Sequence, residues 1–226
     1  PGDNVIDVGA NIGTHSIPLA KKVGPKGAVY AFEPQRQTFQ MLCTNAQLNS
    51  VHNLHAFCNG IGAQRSTGFA PESAAALQGN IGNFSLKTCS NGEAFDILTL
   101  DDLILPRIHL IKIDVEGMEK EVIEGGRELI ARDRPILFVE NNIPENSAAL
   151  IEELQSLNYT CYWHLANYYR PNNYYNNPDN IFIDVHRPEI NMVCFPASAP
   201  ALINARLRVL HPEDTWVEAL KRQREP

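Results

Sequence analysis

VIDVGANIGT, residues 5–14, joins a short apolar strand to a loop that contains two glycines. Glycine lets the backbone turn sharply and approach a ligand closely, and the start of the following helix offers free N–H groups. The segment therefore predicts a strand–loop–helix unit that binds a nucleotide-like ligand. It departs from the dinucleotide motif G-x-G-x-x-G, because Asn11 and Thr14 stand at the second and third glycine positions. The departure disfavours a pyrophosphate and suits a ligand with an amino-acid carboxylate, its ammonium group near Asp7.

Strands and helices alternate along most of the chain. The pattern predicts strands at 5–8, 28–33, 53–61, 108–114 and 136–140, helices at 14–23, 35–48, 117–131 and 146–157, and further strands at 159–165, 181–185 and 190–195. Such alternation predicts an α/β fold with a mostly parallel sheet and helices on both faces. Residues 62–108 are glycine-rich and predict a loop and hairpin insertion before the fourth strand. The order of charges in residues 211–222 predicts a C-terminal helix.

Polar residues stand where the first five predicted strands end, at Asp7, Glu33, Asn59, Asp114 and Glu140. Ligands of parallel sheets bind at the carboxyl ends of the strands. Each residue alone is also explained as a helix cap, but five at one edge favour a binding site. A carboxylate about 20 residues after a glycine loop, as at Glu33, accepts hydrogen bonds from ribose hydroxyls. These residues predict a nucleoside-containing ligand, with S-adenosylmethionine and NAD both left open.

Length and charge narrow the class of protein. The 226 residues suffice for a buried core without disulfides or metals, and the five scattered cysteines suggest reduced thiols in a cytoplasmic protein. A net charge of −7 argues against a dedicated nucleic-acid binder. No apolar run is long enough to predict a membrane span. Pro1 is not a natural start, so we expect an upstream segment, and a homodimer is compatible with these features.

Five segments carry a resemblance to one enzyme family: VIDVGANIGTHS (5–16), AFEPQ (31–35), TLDDL (99–103), LIKIDVEGMEKEVIEGG (110–126) and RPILFVEN (134–141). They are similar to the FkbM family of S-adenosylmethionine-dependent methyltransferases, over roughly residues 3–160. The motif KIDVEGxE, residues 112–119, is much more specific than the glycine loop. Residues 172–196 are similar to the C-terminal part of some members.

The resemblance implies a Rossmann-like class I methyltransferase fold, with a seven-stranded sheet that has one antiparallel strand. It also implies S-adenosylmethionine as the cofactor and methylation of a hydroxyl on a sugar, a polyketide or a related small molecule. Carried onto this sequence, it assigns the methionine part of the cofactor to Asp7, Gly9, Ala10, Asn11 and Gly13, the ribose to Glu33, the adenine to Asn59 and Gly60, and the methyl group and acceptor to Asp114 and Glu116.

Asp114 and Glu116 are the first candidates for a general base. In an extended stretch they point the same way, so mutual repulsion would raise the pKa of one of them. The structural alternative is that one of them caps the following helix, and Glu140 is a third candidate. No metal site is predicted. Oxygen ligands exist at Asp114, Glu140, Asn141 and Asn142, but no ligand spacing requires a metal ion.

Residues 167–180, NYYRPNNYYNNPDN, are rich in tyrosine and asparagine. Tyrosine faces stack on sugar rings and amides bind polyols, so these residues suggest a flap that contacts the acceptor through Tyr168, Tyr169, Asn173 and Tyr174. The alternative is a surface loop of turn-forming residues.

The sequence is interpreted as one domain over 1–226. It comprises a cofactor-binding core (3–160), a segment that completes the sheet and supplies the flap (161–200), and a helical tail (201–226).

Two functions other than methyl transfer are also considered. A nicotinamide-dependent oxidoreductase is disfavoured by the missing glycines, and a non-catalytic nucleoside-binding module is disfavoured by the pair Asp114 and Glu116.

Overall fold

The computed structural model describes residues 1–70, 92–173, 176–185, 187–199 and 205–224. Its strands, in chain order, are β1 (Asn4–Val8), β2 (Ala28–Phe32), β3 (Leu54–Phe57), β4 (Gly60–Ile61), β5 (Ser66–Ala70), β6 (Glu93–Leu98), β7 (Leu110–Ile113), β8 (Ile136–Glu140), β9 (Tyr159–Ala166) and β10 (Glu189–Pro196). Its α-helices are α1 (Ser16–Val23), α2 (Arg36–Leu48), α3 (Glu119–Glu124), α4 (Arg127–Asp133), α5 (Pro144–Ser156) and α6 (Trp216–Arg224).

Seven strands form the central sheet in the order β3-β2-β1-β7-β8-β10-β9. All neighbouring pairs are parallel except those of β10, which runs antiparallel to both β8 and β9. The chain reverses its direction of travel across the sheet between β1 and β7, so the switch point lies at the carboxyl ends of these two strands. The predicted seven-stranded, mostly parallel sheet is confirmed.

Helices cover both faces of the sheet. Neighbouring side chains of a strand point to opposite faces, so a single strand packs against helices on both sides. On β1, Val5 packs in one apolar cluster with Ile17 of α1. Ile6 packs in the main cluster, which includes Ile123 of α3 and Ile151 of α5. A strand buried on both sides has a continuous apolar sequence, as in the run that precedes the glycine loop.

The predicted third strand, 53–61, is divided in the structure. β3 ends at Phe57, and β4 leaves the central sheet to join a smaller sheet of order β4-β6-β5. β5 and β6 are antiparallel and belong to the predicted insertion. Residues 71–91 of that insertion lie outside the described residues. Asn59 therefore stands between two sheets rather than at the tip of one strand.

The predicted strand at 181–185 is wrong. Residues 181–184 form a turn, in which the backbone N–H of Phe182 donates to Asn180 Oδ1 at 3.0 Å. The apolar side chains that suggested a strand are exposed, and Ile181 is 77% accessible. Local hydrogen bonds of an asparagine side chain compete with strand formation.

The helical predictions agree with the structure apart from some of their boundaries. Gly125 and Gly126 divide the predicted helix at 117–131 into α3 and α4. The C-terminal helix begins at Trp216, several residues later than its charge pattern indicated. Asp214 precedes it and receives two hydrogen bonds from Arg222, which fixes the helix start. No helix in the described ranges is long and apolar enough to cross a bilayer.

Candidate active site

A cavity of about 440 Å³ opens at the carboxyl ends of the central strands. Five of its charged lining residues are acidic and two are basic, namely Glu33, Asp114, Glu116, Glu140, Glu189, Lys112 and Arg187. A cavity with this excess of carboxylates attracts a cationic ligand.

The glycine loop and the loop after β7 meet at the base of the cavity. Gly9 has a φ of +78°, and a Cβ added to it would lie 1.8 Å from the carbonyl oxygen of Asp114. The N–H of Asp114 also donates to Val8 O at 3.1 Å. Glycine is therefore required at position 9 both by the backbone angle and by the close approach of the second loop.

Glu33 joins the tip of β2 to the glycine loop. Its Oε2 accepts a hydrogen bond from Asn11 N at 3.0 Å, and its Oε1 accepts one from Gln35 N at 2.9 Å. Burial raises the pKa of Glu33 to about 7, although both backbone donors act to lower it. Glu33 lines the cavity, so its carboxylate is available to a hydroxyl donor of a ligand.

A buried lysine of β7 connects this strand with its neighbour β1. Lys112 Nζ lies 3.0 Å from Asp7 Oδ1, 3.3 Å from Asp114 Oδ2 and 3.2 Å from Gly9 O. Burial acts to lower the pKa of Lys112, but the two aspartates outweigh it and raise the pKa. Asp7 also accepts a hydrogen bond from Ser16 Oγ at 2.6 Å and is fully buried. It is therefore not among the residues that line the cavity.

Three carboxylates converge at the other side of the cavity. One oxygen from each of Asp114, Glu116 and Glu140 lies within 4.8 Å of the others. Burial, followed by the charges of Asp114 and Glu119, raises the pKa of Glu116 to about 7. Burial and the charges of Asp114 and Glu116 raise the pKa of Glu140 well above its usual range. The arrangement can take up a proton or a cation.

Glu119, rather than Asp114 or Glu116, binds the backbone at the start of α3. Its Oε1 accepts hydrogen bonds from Val115 N at 3.3 Å and Gly117 N at 2.9 Å. Glu116 has a φ of 51°, in the left-handed region that residues other than glycine rarely adopt. Glu119 is thus the acidic residue that binds the backbone ahead of α3, while Asp114 and Glu116 line the cavity.

The structure brings together eight of the sequence-predicted site residues as cavity lining: Gly9, Asn11, Glu33, Asn59, Gly60, Asp114, Glu116 and Tyr168. Asp7 and Ala10 are buried behind the lining, and Gly13 packs against Leu42 and Ile17. The remaining predicted residues belong to the flap segment.

The flap segment divides into residues at the cavity and residues outside it. Tyr168 lines the cavity, whereas the Tyr169 hydroxyl donates to the carbonyl oxygens of Asn177 and Pro178. Asn173 donates to Asn177 O at 2.8 Å and to Arg170 O. Tyr174 lies outside the described residues. Of the three that the structure describes, Tyr168 alone lines this cavity.

Three charged residues of the cavity, Lys112, Arg187 and Glu189, escaped the sequence reasoning. Lys112 carried a signal, because a lysine within an apolar strand needs a buried partner. Arg187 carried none, because it follows the turn that had been predicted as a strand. It lies close enough to Glu116 to act against the rise in the pKa of that carboxyl.

Sheet order, the single antiparallel strand and a cavity at the switch point together define a Rossmann-like methyltransferase fold. The chain belongs to the FkbM methyltransferase family, since the model of the methyltransferase FkbM domain matches residues 7–161. The resemblance noted in the sequence is thereby confirmed.

Curated relatives agree with this family. The chain is 33% identical over 133 residues to hexuronic acid methyltransferase AglP of Haloferax volcanii, covering 54% of this chain and 50% of that protein. It is 32% identical over 156 residues to 31-O-demethyl-FK506 methyltransferase FkbM of Streptomyces tacrolimicus, covering 55% of this chain and 60% of that protein. The chain thus spans about half to three-fifths of the length of these relatives.

Solved structures share the fold at low sequence identity. A crystal structure of methyltransferase FkbM from Methylobacillus flagellatus has a TM-score of 0.57 and 19% identity, covering 85% of this chain and 43% of that chain. An O-methyltransferase from Thermotoga maritima has a TM-score of 0.54 and 13% identity, covering 88% of this chain and 61% of that chain. These two structures support the fold.

Proposed function

We propose that the protein transfers a methyl group from S-adenosylmethionine to a hydroxyl oxygen of a sugar or a related small molecule. The observation that carries this proposal is one cavity that joins Glu33, a carboxylate suited to ribose hydroxyls, to the carboxylates of Asp114 and Glu116. The family match adds that the chemistry is methyl transfer.

The residues around the glycine loop fit the proposed cofactor. Glu33 is fixed by two backbone donors, so its orientation is set before ribose hydroxyls donate to it. Gly9 and Asn11 line the cavity beside it, and Asn59 and Gly60 line the part proposed for adenine. The acidic lining favours a positively charged sulfur. Asp7 holds Lys112 in place and is a positioning residue rather than a direct contact.

When bound, S-adenosylmethionine supplies a methyl carbon whose bond to sulfur breaks, with the electron pair going to sulfur, as the acceptor oxygen bonds to that carbon. A hydroxyl oxygen attacks well only as its proton leaves, and a positioned base typically contributes a factor of about 10²–10⁴. Glu116 and Asp114 are proposed to accept this proton. Their fixed loops supply alignment, which is the other large contribution to a displacement of this kind.

A saccharide-like acceptor is favoured by two observations. One curated relative is named as a hexuronic acid methyltransferase. Tyr168 and Arg187 line the cavity, and both lie near enough to Glu116 for their charges to interact. An aromatic face and a guanidinium are suited to a ring that bears hydroxyl or carboxylate groups.

Calorimetry with S-adenosylhomocysteine, S-adenosylmethionine and NAD tests the cofactor, and a screen of acceptors with methyl-labelled S-adenosylmethionine tests the reaction. We expect both adenosyl ligands to bind, and a saccharide or polyketide hydroxyl to become labelled. Asp114→Asn and Glu116→Gln should keep S-adenosylhomocysteine binding and reduce turnover by about 10²-fold or more. Tight NAD binding without a response to either adenosyl ligand would overturn the proposal.

A further inference from the structure

We propose that Asp114, Glu116 and Glu140 form a binding site for one divalent cation, whose remaining coordination includes the hydroxyl oxygen of the acceptor. The sequence alone predicted no metal site, because the three residues belong to two separate strand ends and no spacing connects them. The inference rests on the proposed function for its chemical role, while the binding of the ion itself stands on the geometry.

The distances fit a small hard cation. One carboxylate oxygen of each residue lies within 4.8 Å of the other two. Oxygen ligands at about 2.1 Å from Mg²⁺ in an octahedron are about 3.0 Å apart when adjacent and about 4.2 Å apart when opposite. Ligands of Ca²⁺ at about 2.4 Å reach about 4.8 Å when opposite. Small side-chain adjustments therefore suffice to close the three oxygens around either ion.

Glu140 supplies an independent sign of a missing partner. The residue is 7% exposed, and its Oε1 accepts a hydrogen bond from Asn142 Nδ2 at 2.7 Å. Its Oε2 is completely buried and finds no donor among the residues that the structure describes. A buried carboxylate oxygen without a partner is costly. A cation satisfies it, and a proton shared with Asp114 is the competing solution.

Protein cations near the cluster have other partners or lie to one side. Lys112 approaches Asp114, but the same ammonium also serves Asp7 and Gly9 O. Arg187 acts on Glu116. Asn141, considered from the sequence as a ligand, instead donates to Ser147 Oγ at 2.9 Å and does not line the cavity. The described side chains near the cluster therefore supply less positive charge than the three carboxylates need. A divalent cation bound between the carboxylates would balance the remaining negative charge.

The chemical consequence is activation of the acceptor. A hydroxyl bound to a divalent cation loses its proton more easily. The acceptor oxygen then bonds to the methyl carbon, the electron pair of the carbon–sulfur bond goes to sulfur, and the hydroxyl proton passes to the carboxylate oxygen of Glu116 that does not face the ion. The cation changes neither the atoms transferred nor the electron count.

The test measures Mn²⁺ binding to the EDTA-treated full chain by electron paramagnetic resonance of the unbound ion. We expect one Mn²⁺ per chain, displaced by excess Mg²⁺ or Ca²⁺. Asp114→Asn and Glu140→Gln should each weaken Mn²⁺ binding by more than about tenfold, and Asn142→Ala, which removes the donor that orients Glu140, by about tenfold. Glu189→Gln is the matched control, because Glu189 is an acid of the same cavity outside the cluster, and it should bind Mn²⁺ as the unaltered protein does.

S-adenosylhomocysteine calorimetry on the same variants confirms that each is folded and separates the two proposals. If S-adenosylhomocysteine binds and Mn²⁺ does not, the shared proton is correct and the cation site is wrong, while the proposed function stands. Mn²⁺ binding that survives both Asp114→Asn and Glu140→Gln also overturns the site. If Mn²⁺ binds as expected and neither adenosyl ligand does, the cation site stands and the proposed function fails.

Discussion

Lys112 and Asp7 form a buried ion pair, with 3.0 Å between Lys112 Nζ and Asp7 Oδ1, across two parallel strands in which they are direct neighbours. Neither side chain has appreciable exposure. The same ammonium reaches Gly9 O and Asp114 Oδ2. The pair thus ties the glycine loop to the loop that carries the proposed base, which are the two halves of the site.

Lys112→Met should destabilise the protein by about 3–5 kcal/mol, because Asp7 would remain as a buried charge without its partner. The free energy of unfolding from urea denaturation measures this loss. Adding Asp7→Asn to Lys112→Met should restore much of it, since the double variant buries no unpaired charge.

Lys120→Met provides the comparison for this ion pair. Lys120 pairs with Glu124 one helical turn away, and both side chains are substantially exposed. An exposed pair of this kind contributes about 0.5 kcal/mol or less. An equal effect of the two lysine substitutions would show that burial of the Lys112 pair does not matter to stability.

Gly9→Ala should prevent stable folding or abolish cofactor binding. Its Cβ would fall 1.8 Å from Asp114 O, so the two loops would have to separate. Gly24→Ala is a matched control, because Gly24 also has a positive φ of +70° and its added Cβ meets nothing within 4 Å. Gly24→Ala should cost only the strain of its backbone conformation (φ 70°, ψ −172°), about 1–3 kcal/mol. Thermal unfolding and S-adenosylhomocysteine binding measure both variants, and equal effects would contradict the close-approach argument.

The sequence predicts the central sheet well because each buried strand is a short apolar run that ends in a polar residue. It fails at 181–185, where Ile181 and its apolar neighbours have the composition of a strand but the turn at Asn180 holds them at the surface. It also merges β3 with β4, because nothing in the residues near Asn59 indicates which sheet each half joins. Strand pairing is a tertiary property that composition does not contain.

The candidate site, like the fold, could be predicted from the sequence only in part. Glu33, Asp114 and Glu116 are predictable, because topology places the ends of parallel strands at one edge. The contact between Lys112 and Asp7 depends on the register of two strands more than 100 residues apart in sequence. Arg187 reaches the cavity only through the return of the chain after β9. The burial of Asp7 is likewise a consequence of that register, and no local motif expresses it.

Tyr168→Ala should raise the KM for the acceptor about tenfold while the Kd for S-adenosylhomocysteine stays unchanged. Tyr168 lines the cavity, and a tenfold change corresponds to the loss of about 1.4 kcal/mol of contact with the acceptor ring. Steady-state kinetics with an acceptor from the labelling screen measure the change. Tyr169→Phe serves as the control, because the partners of the Tyr169 hydroxyl among the described residues are carbonyl oxygens of its own segment. A larger effect at Tyr169 would contradict the assignment of Tyr168 to the acceptor.

S-adenosylhomocysteine should bind about tenfold more tightly at pH 8 than at pH 6, because of Glu33. Burial raises the pKa of this carboxyl to about 7, and ribose hydroxyls donate to its ionised form. Binding therefore requires loss of the proton and strengthens as the pH rises through 7. Asp7 and Lys112 are the other charges that act on Glu33, and they oppose each other. Calorimetry across this pH range gives the Kd at each point.

Two carboxamide variants identify the group responsible for this pH dependence. Glu33→Gln removes the titrating proton, so binding should be weak and nearly independent of pH. Glu116→Gln is the matched control, because the pKa of Glu116 is also raised to about 7 but its carboxylate lies in the acidic cluster rather than beside the glycine loop. It should keep the tenfold change. If Glu116→Gln flattens the profile and Glu33→Gln does not, the proton belongs to the cluster and Glu33 does not bind the ribose.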